Sequence, residues 1–336
     1  MTKKELLVAG LLALVVLVTA VETAAAKGIG SMPAPGGVVV PGGEHRYIAI
    51  SPGKPSEADE LTVVAQVERR DGRLSRWWRL RGDYFVPAVT LDGTAGGLSA
   101  DGETLILSRF TRQFPPRTSR FALLDTERRR EPFRTVQLQG DFSFDAISPD
   151  GSTIYLIQRF PENKRADYIT DYAVRAYDVA DRRLLSEPIV DPSEPDEEMA
   201  GLPLSRASSP DGRWAYTLYD GNGGEPFVHA LDTVDRTAVC IDLPQLAGVA
   251  QRHWYLFHLE MREAGQEIVV LKHDLSPAPA REVLTVDTES FEVEKASVEA
   301  AGVGGTVPWP AIGIVAALLL IGLVRIARRR PGPGAA

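Results

Sequence analysis

Ser148-Pro149-Asp150-Gly151, with the apolar run Thr153-Ile154-Tyr155-Leu156-Ile157 behind it, decides the fold of this chain. Proline presets φ at the second turn position, serine and aspartate bond to nearby backbone, and glycine tolerates the exit geometry. Between short apolar and β-branched runs, such a tetrapeptide connects two antiparallel strands. It recurs as Ser209-Pro210-Asp211-Gly212 before Trp214-Ala215-Tyr216-Thr217-Leu218, and in altered form as Ser99-Ala100-Asp101-Gly102 before Thr104-Leu105-Ile106-Leu107. Asp101, Gly102, Asp150, Gly151, Asp211 and Gly212 are therefore read as structural turn residues and not as catalytic carboxylates.

A second strand follows each of the three turns and ends in an acidic, turn-prone stretch, at Phe121–Thr126, Val174–Val179 and Val228–Thr233, and a fourth such strand is Val283–Thr288, in a repeat with Ala264-Gly265 where the others carry Asp-Gly. Their aspartates, Asp125, Asp178, Asp232 and Asp287, are spaced by 53, 54 and 55 residues. A period of that length with about four strands per repeat is the signature of a β-propeller blade. The expected fold is all-β, a propeller of about five four-stranded blades over residues 38–298. The blades run from Val38 to Leu80, then over 82–139, 140–190, 203–243 and 253–297. The strand Phe291–Glu294 is expected to close the ring against Val38–Val40.

The ends read differently. Lys3-Lys4, the uncharged run Leu6–Val21 and the small residues Thr23–Ala26 make a signal peptide over residues 1–26, with an uncleaved anchor as the rival reading. A Gly/Pro-rich linker follows at 27–37. After a linker at 299–306, a transmembrane helix is expected at 307–326, drawn mostly from the uncharged run Val303–Val324 and ending just past Arg325. Its basic tail, 327–336, stays cytoplasmic by the positive-inside rule. The expected protein is thus a single-pass protein of the cell membrane with its propeller outside the cytoplasm.

Residues 27–310 carry 31 basic and 43 acidic side chains, a poor match for nucleic acid or an anionic membrane surface. Cys240 is the only cysteine, so no internal disulfide forms.

Residues 82–290 resemble the TolB-type, WD-repeat-like propellers, through the turns at 148–151 and 209–212 and through Tyr177-Asp178-Val179 and Leu231-Asp232-Thr233 one strand later. The resemblance implies a propeller fold and a protein-binding role in the cell envelope. The chain departs from TolB in its C-terminal span and in lacking an evident N-terminal helical domain.

Chemistry is sparse. No Gly-x-Ser-x-Gly elbow is present. Among His45, His229, His253, His258 and His273, only His253 and His258 lie close together. Their offset of five puts them on opposite faces of a strand. Asp220, Asn222 and Glu225, in Asp220-Gly221-Asn222-Gly223-Gly224-Glu225, read either as a calcium loop or as a plain hairpin turn, and the turn is expected. No cofactor is expected. Arg76, Trp77, Trp78 and Arg79 interleave cations and rings: one tryptophan packs between blades, and the other is either a platform for an anionic or sugar-like ligand or a partner, or simply a core ring covered by an arginine stem, and the covered ring is expected.

The leading expectation is a non-catalytic module binding a protein, peptide or glycan of the cell envelope at one rim or at the channel mouth. The alternative is an envelope hydrolase or lactonase using channel carboxylates and a divalent metal, as five-bladed glycosidases place theirs. Three or more Asp, Glu, Asn or His side chains at the mouth favour the hydrolase; an apolar and aromatic lining favours binding.

Overall fold

In the computed structural model the chain divides into a unit Met1–Ala296 and a second unit, Ser297–Ala336. Described are residues 32–40, 42–51, 60–113, 115–160, 171–195, 199–274 and 278–296. The signal segment, the linkers at 27–31 and 299–306, the span and the basic tail lie outside them. Among the described residues no helix is long and apolar enough to cross a membrane.

Among the described residues the fold is all-β, built from five antiparallel meanders in chain order. Sheet 1 comprises Val38–Val39, His45–Ile50, Leu61–Glu68 and Leu74–Arg81. Sheet 2 comprises Tyr84–Phe85, Thr104–Arg109, Thr118–Asp125 and Phe133–Gln139. Sheet 3 comprises Asp141–Ile147, Thr153–Arg159, Asp171–Asp178 and Arg183–Ile189, with Met199–Ala200 added beside Asp171–Asp178. Sheet 4 comprises Pro203–Ser208, Trp214–Tyr219, Phe227–Asp232 and Thr237–Asp242. Sheet 5 comprises Phe257–Arg262, Glu267–Lys272, Arg281–Asp287 and Val293–Lys295.

The core lies between consecutive sheets. Leu80 and Val64 of sheet 1 meet Leu105, Leu107 and Leu124 of sheet 2. Ile106 and Phe121 pack on Phe142, Phe144 and Ile154 of sheet 3. Tyr155 and Val174 then meet Ala215 and Leu231 of sheet 4, whose Tyr216 and Leu218 meet Leu259 and Val270 of sheet 5. Strands buried on both faces read as near-continuous apolar runs, as Leu105-Ile106-Leu107 and Ile154-Tyr155-Leu156 do.

Two expectations change. Val293–Lys295 pairs with Arg281–Asp287, and Val38–Val39 pairs with His45–Ile50. One is the last strand of its meander and the other the first, so they do not form a shared closing sheet. Residues Gln251–Leu256 are a 3₁₀ turn, and the strand starts only at Phe257. The turn buries Trp254 against Phe257, so packing of the two rings overrides the β-propensity of the aromatic run.

The aspartate-glycine turns share one geometry. In each, the serine Oγ donates to the aspartate Oδ1 at 2.5 to 2.7 Å, and the glycine amide donates to the serine carbonyl at 2.9 Å. The aspartate also accepts the amide after the glycine, and the serine Oγ accepts the amide that opens the next strand. The turns also nest: a Cβ on Gly151 would lie 2.5 Å from Thr104 Oγ1, one on Gly212 2.7 Å from Ala100 Cβ, and one on Gly265 2.9 Å from Pro210 Cδ.

Candidate functional site

The first strand of sheet 2 is interrupted. After Phe85 the chain leaves the sheet and returns at Gly97, whose carbonyl accepts from Ile106 N. The excursion pairs Pro87–Ala88 with Met32–Pro33 and turns at Thr90-Leu91-Asp92-Gly93. Its tip reaches sheet 4, where Leu91 N donates to Pro203 O at 2.9 Å and Asp92 N to Leu204 O at 3.1 Å.

That tip is a further copy of the repeated turn. Thr90 Oγ1 donates to Asp92 Oδ1 at 2.6 Å, Gly93 N to Thr90 O at 3.1 Å, and Thr94 N to Asp92 Oδ1 at 3.0 Å. Threonine replaces serine, which hid it from a search for Ser-x-Asp-Gly; a hydroxyl-x-Asp-Gly pattern finds it.

Between this excursion and the first strands of sheets 1, 3 and 4 lies a cavity of about 280 Å³. Val38–Val40, Val89, Leu98, Phe144, Ala146, Ile147, Trp214 and Ala215 give it an apolar lining, and Ser208, Ser209, Pro210 and Gly212 place it at the face bearing the turns. One ion pair lies in its wall. Asp145 sits at a register shift between Phe144 and Ala146, a bulge that re-aims one side chain. Arg206 of sheet 4 donates from Nη2 to Asp145 Oδ1, from Nη1 to the Asp145 carbonyl, and from Nε and Nη2 to Thr217 Oγ1. Both side chains are nearly fully buried. A guanidinium so engaged with its carboxylate leaves little for substrate chemistry.

Behind this wall, between sheets 3 and 4, is a buried polar layer. Asp141 lies 3.5 Å from Arg159, Tyr172 stacks on Tyr219, and His229 meets the Tyr219 ring edge-on. Burial raises the Asp141 carboxyl above its usual range despite Arg159, and it lowers His229 to about 4. His229 Nε2 has no hydrogen-bond partner among the described residues.

The residues singled out in the sequence are distributed as follows. Arg76 donates to the Thr126 carbonyl at 2.7 Å, tying sheet 1 to sheet 2, and Trp78 packs over Tyr47 in the same interface. Trp77 faces outward, 51% exposed, with the Arg79 guanidinium 4.9 Å from its ring centroid. The four do not converge on one spot.

Asp220 is buried, and its Oδ1 accepts from Leu202 N at 2.8 Å and Asn222 N at 3.0 Å, capping the short turn Gly221–Gly223. Asn222 takes a left-handed conformation and Glu225 is exposed. Among the described residues no group of three or more His, Cys, Asp or Glu side chains is placed to hold a metal ion. His253 lies in the 3₁₀ turn and His258 on the following strand, which corrects the reading of both on one strand. The partner of His258 is instead His273, stacked at 4.3 Å between centroids, a pair that their spacing of 15 residues concealed.

No protein-family model and no curated protein matches the sequence. Solved structures do match. TolB from Acinetobacter baumannii is 14% identical over 74% of this chain and 51% of that one, with a TM-score of 0.40. The β-propeller domain of the Trilobed protease from Pyrococcus furiosus is 9% identical over 77% and 69%, with a TM-score of 0.41. Puromycin hydrolase is 17% identical over 77% and 36%, with a TM-score of 0.42. The chain thus spans about half of the first of these and about a third of the last. The solved structures it resembles are TolB and other β-propeller proteins, and the likeness concerns the fold alone.

Proposed function

We propose that the chain is a binding module of the cell envelope, a β-propeller exported by its signal segment and held at the membrane by its C-terminal span. It takes a protein or peptide at the mouth of the central cavity and does no chemistry on it. One observation carries the reading: the mouth is lined by apolar and aromatic side chains from several sheets, and its one buried ion pair, Arg206–Asp145, is closed on itself. Apolar concavities with few polar groups bind, whereas hydrolytic channels gather carboxylates.

A photo-crosslinking residue placed at Trp214, on the cavity wall, tests this in cells carrying the full chain. The expected result is one discrete adduct, absent when the same residue replaces Tyr255, which is 68% exposed on sheet 5's leading turn. Adducts of equal yield from both positions, or none from Trp214, overturn the reading.

A further inference from the structure

A second cavity opens between sheets 1 and 2, at the strand ends opposite the Asp-Gly turns. It measures about 110 Å³ and is lined by Arg109, Arg112 and Arg120, by Glu60 and Asp83, and by Phe110. The buried Glu60 already shows what the site holds. Its carboxylate accepts from Arg112 Nη2 at 3.3 Å and lies 4.0 Å from Arg109 Nη2. The planar guanidinium fork matches a carboxylate in shape as well as charge.

Three guanidiniums face two carboxylates, so the lining is left with a net positive charge. Arg112 keeps most of its side chain in solvent at the mouth. Arg120 spends Nε on Gln137 at 2.9 Å. Phe110 is 52% exposed, while its own backbone is fixed by donation to Asp83 O at 2.8 Å. An apolar ring fixed beside exposed arginines is the composition of a binding anchor.

The rest of the molecule adds a directional field. Residues 60–140, which hold most of sheet 1 and all of sheet 2, carry 14 basic and 10 acidic side chains. Residues 141–296, which form sheets 3 to 5, carry 14 basic and 29 acidic ones. An acidic ligand is repelled by the larger sector and drawn to the smaller.

We propose that this cavity receives an acidic side chain of a peptide segment on a partner protein, with Phe110 covering the apolar residue beside it. The site is separate from the central cavity and does not depend on the reading given for it. The small volume fits one carboxylated side chain, and the ring gives a peptide an apolar contact that a free anion does not use.

The probe is a fluorescein-labelled Glu-Glu-Leu-Glu-Glu peptide, read by anisotropy against the full chain at about 150 mM salt. Arg112→Ala, Arg120→Ala and Phe110→Ser are each expected to weaken binding roughly fivefold or more. Glu60→Gln removes the internal competitor and is expected to tighten it, a gain that a purely structural role does not produce. Unchanged melting temperatures of the Arg112 and Phe110 variants show that folding is intact, since both side chains are exposed. Three results overturn the proposal. One is no binding, or binding indifferent to these variants. Another is displacement by inorganic phosphate as effective as by unlabelled peptide, which makes the cavity a general anion site. The last is salt-sensitive self-association abolished by Arg112→Ala, which makes the occupant a second copy of this chain. Crosslinking from Trp214 is expected to persist in Arg112→Ala, which separates this test from that of the central cavity.

Discussion

Gly151 and Thr104 approach each other so closely that a methyl group on Gly151 would lie 2.5 Å from the Thr104 Oγ1 and 2.8 Å from its Cβ. The third sheet's turn is therefore seated on the second's, and the repeat is a packing device as well as a local one. Gly151 also has φ of +71°, where a side chain costs about 1 kcal/mol. Gly151→Ala combines that strain with a clash and is expected to lose about 2–4 kcal/mol in urea unfolding. Gly72→Ala, with the same φ of +71° and nothing within 4 Å, isolates the strain and should lose only about 1 kcal/mol. Equal losses from the two would show that the turns do not bear on one another.

Asp150 and Asp211 are both held below the usual carboxylate range, first by the serine hydroxyls of their own turns and then by backbone amides. A carboxyl depressed on folding contributes stability that is present above its unfolded pKa of about 4 and disappears as pH falls through the folded value. Ser148→Ala and Ser209→Ala should flatten the loss of stability below about pH 4 and cost roughly 1 kcal/mol each at neutral pH. Urea midpoints measured between about pH 2 and 7 would read both effects.

His229 titrates in a different window. It is buried and neutral, with its pKa lowered by desolvation to about 4, against about 6.5 in the unfolded chain. Between those values the unfolded state binds a proton that the folded state does not. Stability is then complete above about pH 6.5 and declines as pH falls towards 4, by up to about 3 kcal/mol. His229→Gln should remove that slope while leaving the loss below pH 4 that the turn aspartates produce. A slope unchanged in the variant would assign it elsewhere.

Arg206 and Asp145 form a pair whose separate removal leaves a buried charge. Arg206→Ala or Asp145→Ala is expected to cost about 3–5 kcal/mol, and the double variant less than the sum. Thermal unfolding of the four proteins closes the cycle. An additive result would mean that Thr217 and the Asp145 carbonyl, rather than the carboxylate, hold the arginine.

Four strands per repeat were legible because the turn chemistry is local: a hydroxyl, an aspartate and a glycine within four residues specify where the meanders of sheets 2, 3 and 4 reverse. The sites were far less legible. Asp145 and Arg206 are 61 residues apart and meet only because a bulge on one sheet faces the next. The Glu60–Arg112 pair spans 52 residues and His258–His273 15. The run Trp254–Phe257 misled because its composition suits a strand, yet Trp254 is buried by turning. Nothing local distinguishes Trp77, at the surface, from Trp78, in an interface; the strand's two faces are equivalent until a neighbouring sheet covers one.

The tip at Leu91 and Asp92 has a consequence for how the chain is assembled. Its amides donate to carbonyls more than a hundred residues later, at Pro203 and Leu204. A chain delivered from its N-terminus completes sheet 2 long before those acceptors arrive, and closing so long a loop is slow. Until then the tip lacks its acceptors, although the base of the hairpin is already paired with Met32–Pro33. Docking of the tip can therefore come only after the first strand of sheet 4 has been made, and it ties the first half of the propeller to the second.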